Sequence, residues 1–160
     1  MTTRPSLLLA VAILAGCSNV PPAETANTSR PMIEPVETTR DGTSTAATVD
    51  SYKADLAQRI YAVNSTQVYT TRPQALLRSV VVLKYTVDGA GNLVRSEIAR
   101  SNHDRATEAT ALATLRKSAP FPKPSPHLLR NGRLEMHESW LFNNDGRFQL
   151  RSLALVQMGE

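Results

Sequence analysis

The feature that most constrains the fold is an apolar alternation between residues 80 and 87. Residues of one parity are all apolar: Val81, Leu83, Tyr85 and Val87. Lys84 and Thr86 take the opposite parity, which is the pattern of a strand with one buried face. Turn residues follow at positions 88–92, and residues 93–100 are predicted to return as the second strand of a hairpin.

Helical patterns lie on both sides of this hairpin. Tyr52, Leu56 and Ile60 recur at helical spacing, and Asp50 or Ser51 is expected to cap that helix. Residues 101–104 offer caps for a second helix that runs to about residue 118. Its apolar stripe is predicted to contain Leu112, Leu115 and Ala119, with Ala111 beside them.

A second hairpin closes the predicted domain, with strands over residues 134–142 and 147–155. Leu134, Met136, Trp140 and Phe142 share the core parity, whereas His137 points outward. Glu138 falls on the apolar side, a polar exception that the pattern does not explain. The order is α-β-β-α-β-β, which predicts an α+β fold: a small antiparallel sheet with two packed helices.

Residues 1–16 have the pattern of an export signal. Arg4 precedes an apolar run at residues 7–14, which is too short for the roughly 20 residues of a membrane-spanning helix. The sequence Leu14-Ala15-Gly16-Cys17 resembles the lipobox of bacterial lipoproteins. The resemblance implies cleavage before Cys17 and attachment of lipid to it, in preference to a free buried thiol. With Ser18 next, it further implies a cell-envelope protein anchored on the outer membrane and facing the periplasm.

Residues 17–49 are rich in Pro, Thr, Ser, Ala and Glu and show no apolar period. Such a segment buries too little surface to offset its ordering entropy, so we interpret it as a flexible tether. Residues 50–160 then form the folded domain, which is expected to fold without residues 1–49.

Composition excludes several classes of function. One cysteine allows neither an internal disulfide nor a zinc site built on paired thiolates. The net charge is +4 and no basic block concentrates it, so nucleic acid is not an expected partner. His103, His127 and His137 show neither metal-ligand spacing nor a nucleophile partner. Gly89 and Gly91 join two strands and therefore do not make a phosphate loop. We expect no enzyme, cofactor or metal site.

The stretch from about residue 52 to 153 resembles the TonB C-terminal domain family, which includes relatives of TolA. The resemblance rests on the strand that ends in Asp88-Gly89, the partner strand over residues 94–101, and the helix core at residues 111–119 followed by Pro120-Phe121-Pro122. The chain departs from the family at Thr107-Glu108, where Leu-Asp is common. Its lipoprotein-like start also differs from the uncleaved inner-membrane helix of energy-transducing TonB proteins.

The resemblance implies a non-catalytic periplasmic module that binds protein. Its partner would be a periplasmic or outer-membrane protein, such as a TonB-dependent transporter, with a link to energy-coupled transport. We expect docking on the edge of the final strand: Arg147, Phe148, Gln149, Leu150 and Arg151. The arginines have an alternative role in discouraging self-pairing. A structural or scaffolding envelope lipoprotein without a role in energy transduction is the competing hypothesis.

Overall fold

The computed structural model, which describes residues 33–70 and 76–154, folds into one antiparallel sheet with two helices on one face. The elements in chain order are α1 (Val49–Val63), β1 (Ser79–Asp88), β2 (Leu93–Arg100), α2 (Arg105–Ser118), β3 (Arg133–Phe142) and β4 (Phe148–Leu150). The four strands lie in the spatial order β2-β1-β3-β4. This arrangement confirms the predicted α+β fold and its element order.

The core lies between the helices and one face of the two central strands. β1 pairs with β3 over its whole length, and their inward residues face each other in register, as Val81 opposite Trp140 and Tyr85 opposite Met136. These side chains are buried, as the alternation predicted, while His137 is exposed. Glu138 is buried on the core face opposite Leu83, where its parity placed it.

Both helices form for the reasons that their sequences indicated. Tyr52, Leu56 and Ile60 of α1 are fully buried. The cap of α1 is Thr48, not Asp50 or Ser51. The Thr48 hydroxyl accepts a 3.1 Å bond from Ser51 N, and Thr48 N in turn donates to the Ser51 hydroxyl at 3.0 Å.

The second helix, α2, begins at the predicted cap Asp104, whose carboxylate accepts from the backbone of Ala106 and Thr107. Its stripe is rotated slightly from the prediction. Ala111 and Leu115 are fully buried, whereas Leu112 is only partly covered.

Residues 37–48, here called the strap, correct the predicted tether boundary. Ser44 and Ala46 are only 1% and 8% exposed, because the strap is hydrogen-bonded to the segment after α2. Ser44 N donates to Lys123 O (2.9 Å), and Lys123 N donates to Gly42 O (3.0 Å). The folded part of the chain therefore begins before residue 50. The predicted signal peptide and Cys17 lie outside the described residues.

The final strand is shorter than expected. β4 has three residues, and the chain turns after Leu150 with Leu153 N donating to Leu150 O (3.0 Å). The prediction of a strand from residue 147 to 155 is therefore wrong at both ends within the described residues. Among the described residues, this short strand leaves residues 133–138 of β3 without a strand partner on the outer side.

Candidate functional site

The predicted docking edge on β4 is covered by the chain itself. Residues 67–69 run parallel to β4 and pair with it, since Phe148 N donates to Gln67 O (2.9 Å) and Tyr69 N donates to Phe148 O (3.1 Å). Leu150 N donates to the hydroxyl of Tyr61 (3.0 Å). The outward backbone groups of β4 are thus already bonded, and the edge is closed to an added strand.

The five side chains predicted at this edge do not form one surface. Phe148, Gln149 and Leu150 are fully buried, and Gln149 Nε2 donates to Tyr69 O (3.1 Å). Arg147 is exposed and pairs with Asp145 in the preceding turn at 2.6 Å. Arg151 N closes the ladder by donating to Ser139 O (3.0 Å). The sequence indicated a terminal strand but gave no sign that residues 67–69 would lie against it.

The opposite edge of the sheet, β2, is open among the described residues. None of its eight residues is buried, and its hydrogen-bonded neighbour lies on one side only. An edge strand of this length presents a row of free N–H and C=O groups. The sequence carried a signal for this edge, because neither parity of residues 93–100 is wholly apolar.

The backbone of Ser96 points away from the sheet. Asp88 N donates to Asn92 O (3.0 Å), so the backbone groups of Asp88 face β2. Lys84, four residues earlier, faces β2 as well and lies opposite Glu97. Since these groups alternate in direction along a strand, Glu97 bonds toward β1 and Ser96 offers its N–H and C=O at the outer edge.

The side chains of β2 add exposed apolar surface and charge to this edge. Val94 and Ile98 are 46% and 37% exposed. Arg95 Nη2 lies 2.6 Å from Glu97 Oε2, so these two charges pair on one face of the strand. The regular stretch of β2 is bounded by register irregularities on both sides, one between Val82 and Leu83 and the other between Thr86 and Val87 of β1.

Buried polar groups cluster around Glu138 on the other face of the sheet. Burial raises the pKa of its carboxyl group, while hydrogen bonding from Ser152 and Ser139 and the charge of Lys53 act in the opposite direction. Glu138 Oε1 accepts from Ser139 N at 2.7 Å, whereas Oε2 has no hydrogen-bond partner among the described residues. The hydroxyl of Tyr85 is likewise buried, and burial raises its pKa further above the usual range. This cluster lies inside the core and presents no open site.

The three histidines lie in separate places. His103 precedes the α2 cap with a φ of 64°, and His137 stands opposite Lys84 on the open face. His127, in the short 3-10 helix Pro126–Leu128, has its Nε2 2.9 Å from Ala47 O and so links the strap to the segment between α2 and β3. Within residues 33–70 and 76–154, no group of three or more His, Cys, Asp or Glu side chains could hold a metal ion.

The family model described as "TonB C terminal" matches residues 49–135, more than half of the chain. The chain belongs to the TonB C-terminal family. The match begins at the first residue of α1 and ends within β3, so the strap and β4 lie outside it. Domains of this family are protein-interaction modules without catalytic activity.

One curated relative supports this assignment over a shorter stretch. Protein TonB of Pseudomonas putida is 30% identical over 71 residues, which cover 44% of this chain and 29% of the relative. The chain thus matches less than a third of that protein's length. No solved structure matches the chain significantly. In the described part of the chain, neither helix is long and apolar enough to cross a membrane.

Proposed function

We propose that this chain is a non-catalytic adaptor of the bacterial cell envelope that binds an extended segment of an outer-membrane protein. The segment adds as a strand to the outer edge of β2. A TonB-dependent transporter is the proposed class of partner, in keeping with the TonB family membership and the relative named Protein TonB. Lipid on Cys17 holds the adaptor on the outer membrane, facing the periplasm.

The observation that carries the proposal is the outer edge of β2, which no described residue covers, in a family of protein-interaction modules. Strand addition derives its affinity from main-chain hydrogen bonds, and Ser96 directs such groups outward. The exposed side chains of Val94 and Ile98 supply apolar contacts beside them. The edge of β4 is not proposed again, because residues 67–69 occupy it.

The test compares Ser96→Pro with Ser96→Ala. Proline removes the outward N–H, and an edge position whose N–H faces solvent tolerates proline in the ladder to β1. Alanine removes only the hydroxyl group. The probe is a synthetic peptide covering the periplasmic N-terminal segment of a transporter from the same organism, titrated by calorimetry. We expect Ser96→Pro to weaken binding about fivefold, since one hydrogen bond is worth about 1 kcal/mol, and Ser96→Ala to bind like the parent.

Folding of each variant is checked by circular dichroism before titration. Equal binding by the folded proline variant and the parent would show that β2 is not the binding edge. Failure of every transporter segment to bind the parent would favour the competing hypothesis of a scaffolding lipoprotein without a role in energy transduction.

The anchor has its own test. Intact-mass spectrometry of the protein from the membrane fraction should show loss of residues 1–16 and a gain of acyl mass on Cys17. Cys17→Ala should abolish both changes and release the protein from the membrane. Unchanged processing and full membrane retention of Cys17→Ala would contradict lipid anchoring at this residue.

A further inference from the structure

Two arginines end one row of residues on the face of the sheet that carries no helix. Arg100, the last residue of β2, lies opposite Val82, and Val82 lies opposite Ser139 of β3. Arg151 continues the row on the other side of β3, because its N–H donates to Ser139 O at 3.0 Å. Residues opposite each other share one face of a sheet, and Val81, of the other parity, is buried in the core.

These arginines border a groove of about 420 Å³. Neighbouring strands are about 4.8 Å apart, so the backbones of Arg100 and Arg151 are separated by about 14 Å. The short side chains of Val82 and Ser139 form the floor between them. A third arginine, Arg78, lines the same groove from the segment before β1. Three guanidinium groups from separate segments thus meet over small side chains.

The groove is positively charged. No residue that lines it is Asp or Glu. Arg100 and Arg151 are exposed, and neither has an ion-pair partner among the described residues. Arg78 Nε lies 2.9 Å from Asp104 Oδ2, which leaves the other N–H groups of this guanidinium available. Such a concentration of one sign of charge attracts an anion.

The donors and acceptors of the groove fit a phosphodiester that also carries hydroxyl groups. One arginine is enough to bind a planar carboxylate, whereas guanidinium groups from separate strands suit a phosphate with several oxygens. Val80 lies two residues before Val82 and directs its N–H and C=O the same way, toward the side of β2. Because β2 ends at Arg100, no described backbone N–H bonds to this C=O. A glycerol hydroxyl group on the phosphate would supply the missing donor.

Exposed apolar side chains beside the arginines favour a lipid as the source of this phosphate. Leu76 is 85% exposed and Val80 is 39% exposed. Leu77 and Val80 line the groove together with Arg78. Exposed apolar side chains among basic residues are typical of surfaces that contact anionic membranes. We propose that this groove binds the headgroup of an anionic phospholipid, with phosphatidylglycerol as the fitting class, and docks the domain on the membrane surface.

This docking goes beyond the proposed function and uses other groups. It involves neither the lipid proposed on Cys17 nor the outward backbone of Ser96. Arg100 ends the strand on which Ser96 lies, so the docked domain holds the β2 edge close to the membrane. A partner segment that emerges from that membrane then meets the edge at short range.

The test is native mass spectrometry of the full chain purified in a neutral detergent. Phosphatidylglycerol or phosphatidylcholine is titrated into the micelles, and each bound lipid is measured as mass added to the chain. Lipid attached covalently at Cys17 belongs to the mass of the chain itself and is not counted. We expect the parent to bind phosphatidylglycerol at least tenfold more tightly than phosphatidylcholine.

Two double variants with the same change in charge locate the site. Arg100→Gln with Arg151→Gln should weaken phosphatidylglycerol binding about thirtyfold, because each arginine at an anionic lipid surface contributes about fivefold. The control Arg116→Gln with Lys117→Gln removes two exposed charges from α2 and should bind like the parent. Circular dichroism checks the fold of each variant.

Equal binding of the two lipids, equal weakening by the two double variants, or full binding by the Arg100 and Arg151 variant would overturn the proposal. Inorganic phosphate and a hexaglutamate peptide are added as competitors. Displacement of phosphatidylglycerol by an equal concentration of either one would make the groove a site for free phosphate or for an acidic peptide instead. Because this readout needs no transporter segment, its failure leaves the outcome of the peptide titration untouched.

Discussion

At the scale of single residues, Glu138 is a buried carboxylate whose desolvation lowers the stability of the fold. It is 1% exposed, and its Oε2 has no hydrogen-bond partner among the described residues. We expect Glu138→Gln to raise the free energy of unfolding at pH 7 by about 1 kcal/mol. The amide has no charge to desolvate and its oxygen still accepts from Ser139 N, and this gain exceeds the cost of burying the new amide N–H donors. Urea unfolding of the two proteins measures the difference.

The same substitution has a defined pH dependence. Burial raises the folded-state pKa of Glu138 above its ordinary value of 4.5, so the folded protein binds this proton more tightly than the unfolded chain does. Protonated Glu138 therefore stabilises the folded state relative to the unfolded chain. This contribution is complete below about pH 4.5 and is lost as the pH rises through the raised pKa of Glu138. The advantage of Glu138→Gln should therefore be small near pH 4 and grow toward pH 7.

Glu135→Gln is the matched control for Glu138. Glu135 lies on the same strand but is exposed, and it pairs with Lys84 at 3.0 Å. A surface pair of this kind contributes little, so the control should change stability by less than about 0.5 kcal/mol. A destabilised Glu138→Gln at pH 7, or an effect that does not vary with pH, would contradict the interpretation.

At the scale of elements, the turn between β1 and β2 is locked to the segment that leaves α2. Gly91 has a φ of +84°, and a Cβ there would lie 2.1 Å from Phe121 O. Phe121 N also donates to Gly91 O at 2.8 Å. We expect Gly91→Ala to lower the free energy of unfolding by about 3 kcal/mol, as left-handed strain and a backbone clash add together.

Gly146→Ala separates these two causes. Gly146 has a similar φ of +82°, but a Cβ there would meet nothing within 4 Å. It should cost only the conformational term, about 1 kcal/mol, in the same urea titration. Equal losses of unfolding free energy for the two variants would mean that the backbone at Phe121 shifts to relieve the clash without a measurable cost.

The elements divide into those that local pattern predicts and those that it does not. Val81 and Tyr85 alternate over a long strand, and Leu56 and Ile60 repeat at helical spacing, so periodicity alone was sufficient there. β4 and the strap have no such period. They are fixed by partners distant in sequence, as Phe148 is by Gln67 and Ser44 by Lys123, and a single sequence does not reveal these pairings.

At the scale of the whole molecule, the strap belongs to the domain. A chain that begins at residue 33 should unfold with the stability of the parent, whereas one that begins at residue 50 should lose about 3 kcal/mol or more. The shorter chain lacks the Thr48 cap and the hydrogen bonds of Ser44 and Gly42 to Lys123, which contribute about 1 kcal/mol each. Equal denaturation midpoints for the two chains would contradict this role.

The candidate site also combines features that the sequence predicted with features that it did not. The resemblance to the TonB family predicted a protein-binding module and an edge, and the family is confirmed. The predicted edge on β4 is occupied by residues 67–69, and the sequence did not reveal this pairing because that loop has no apolar periodicity. The open edge of β2 follows only once the sheet order is known.

The strap also decides how the domain bears mechanical load. Tension arriving from the N-terminal side meets the strap before it meets α1. Gly42 and Ser44 are held by Lys123, and Ala47 is held by His127, so these attachments must yield before the first turn of α1 can unwind. The strap thus shields the first turn of α1 from a force applied on its N-terminal side. A pull that stays below its rupture force leaves the sheet and both of its edges undisturbed.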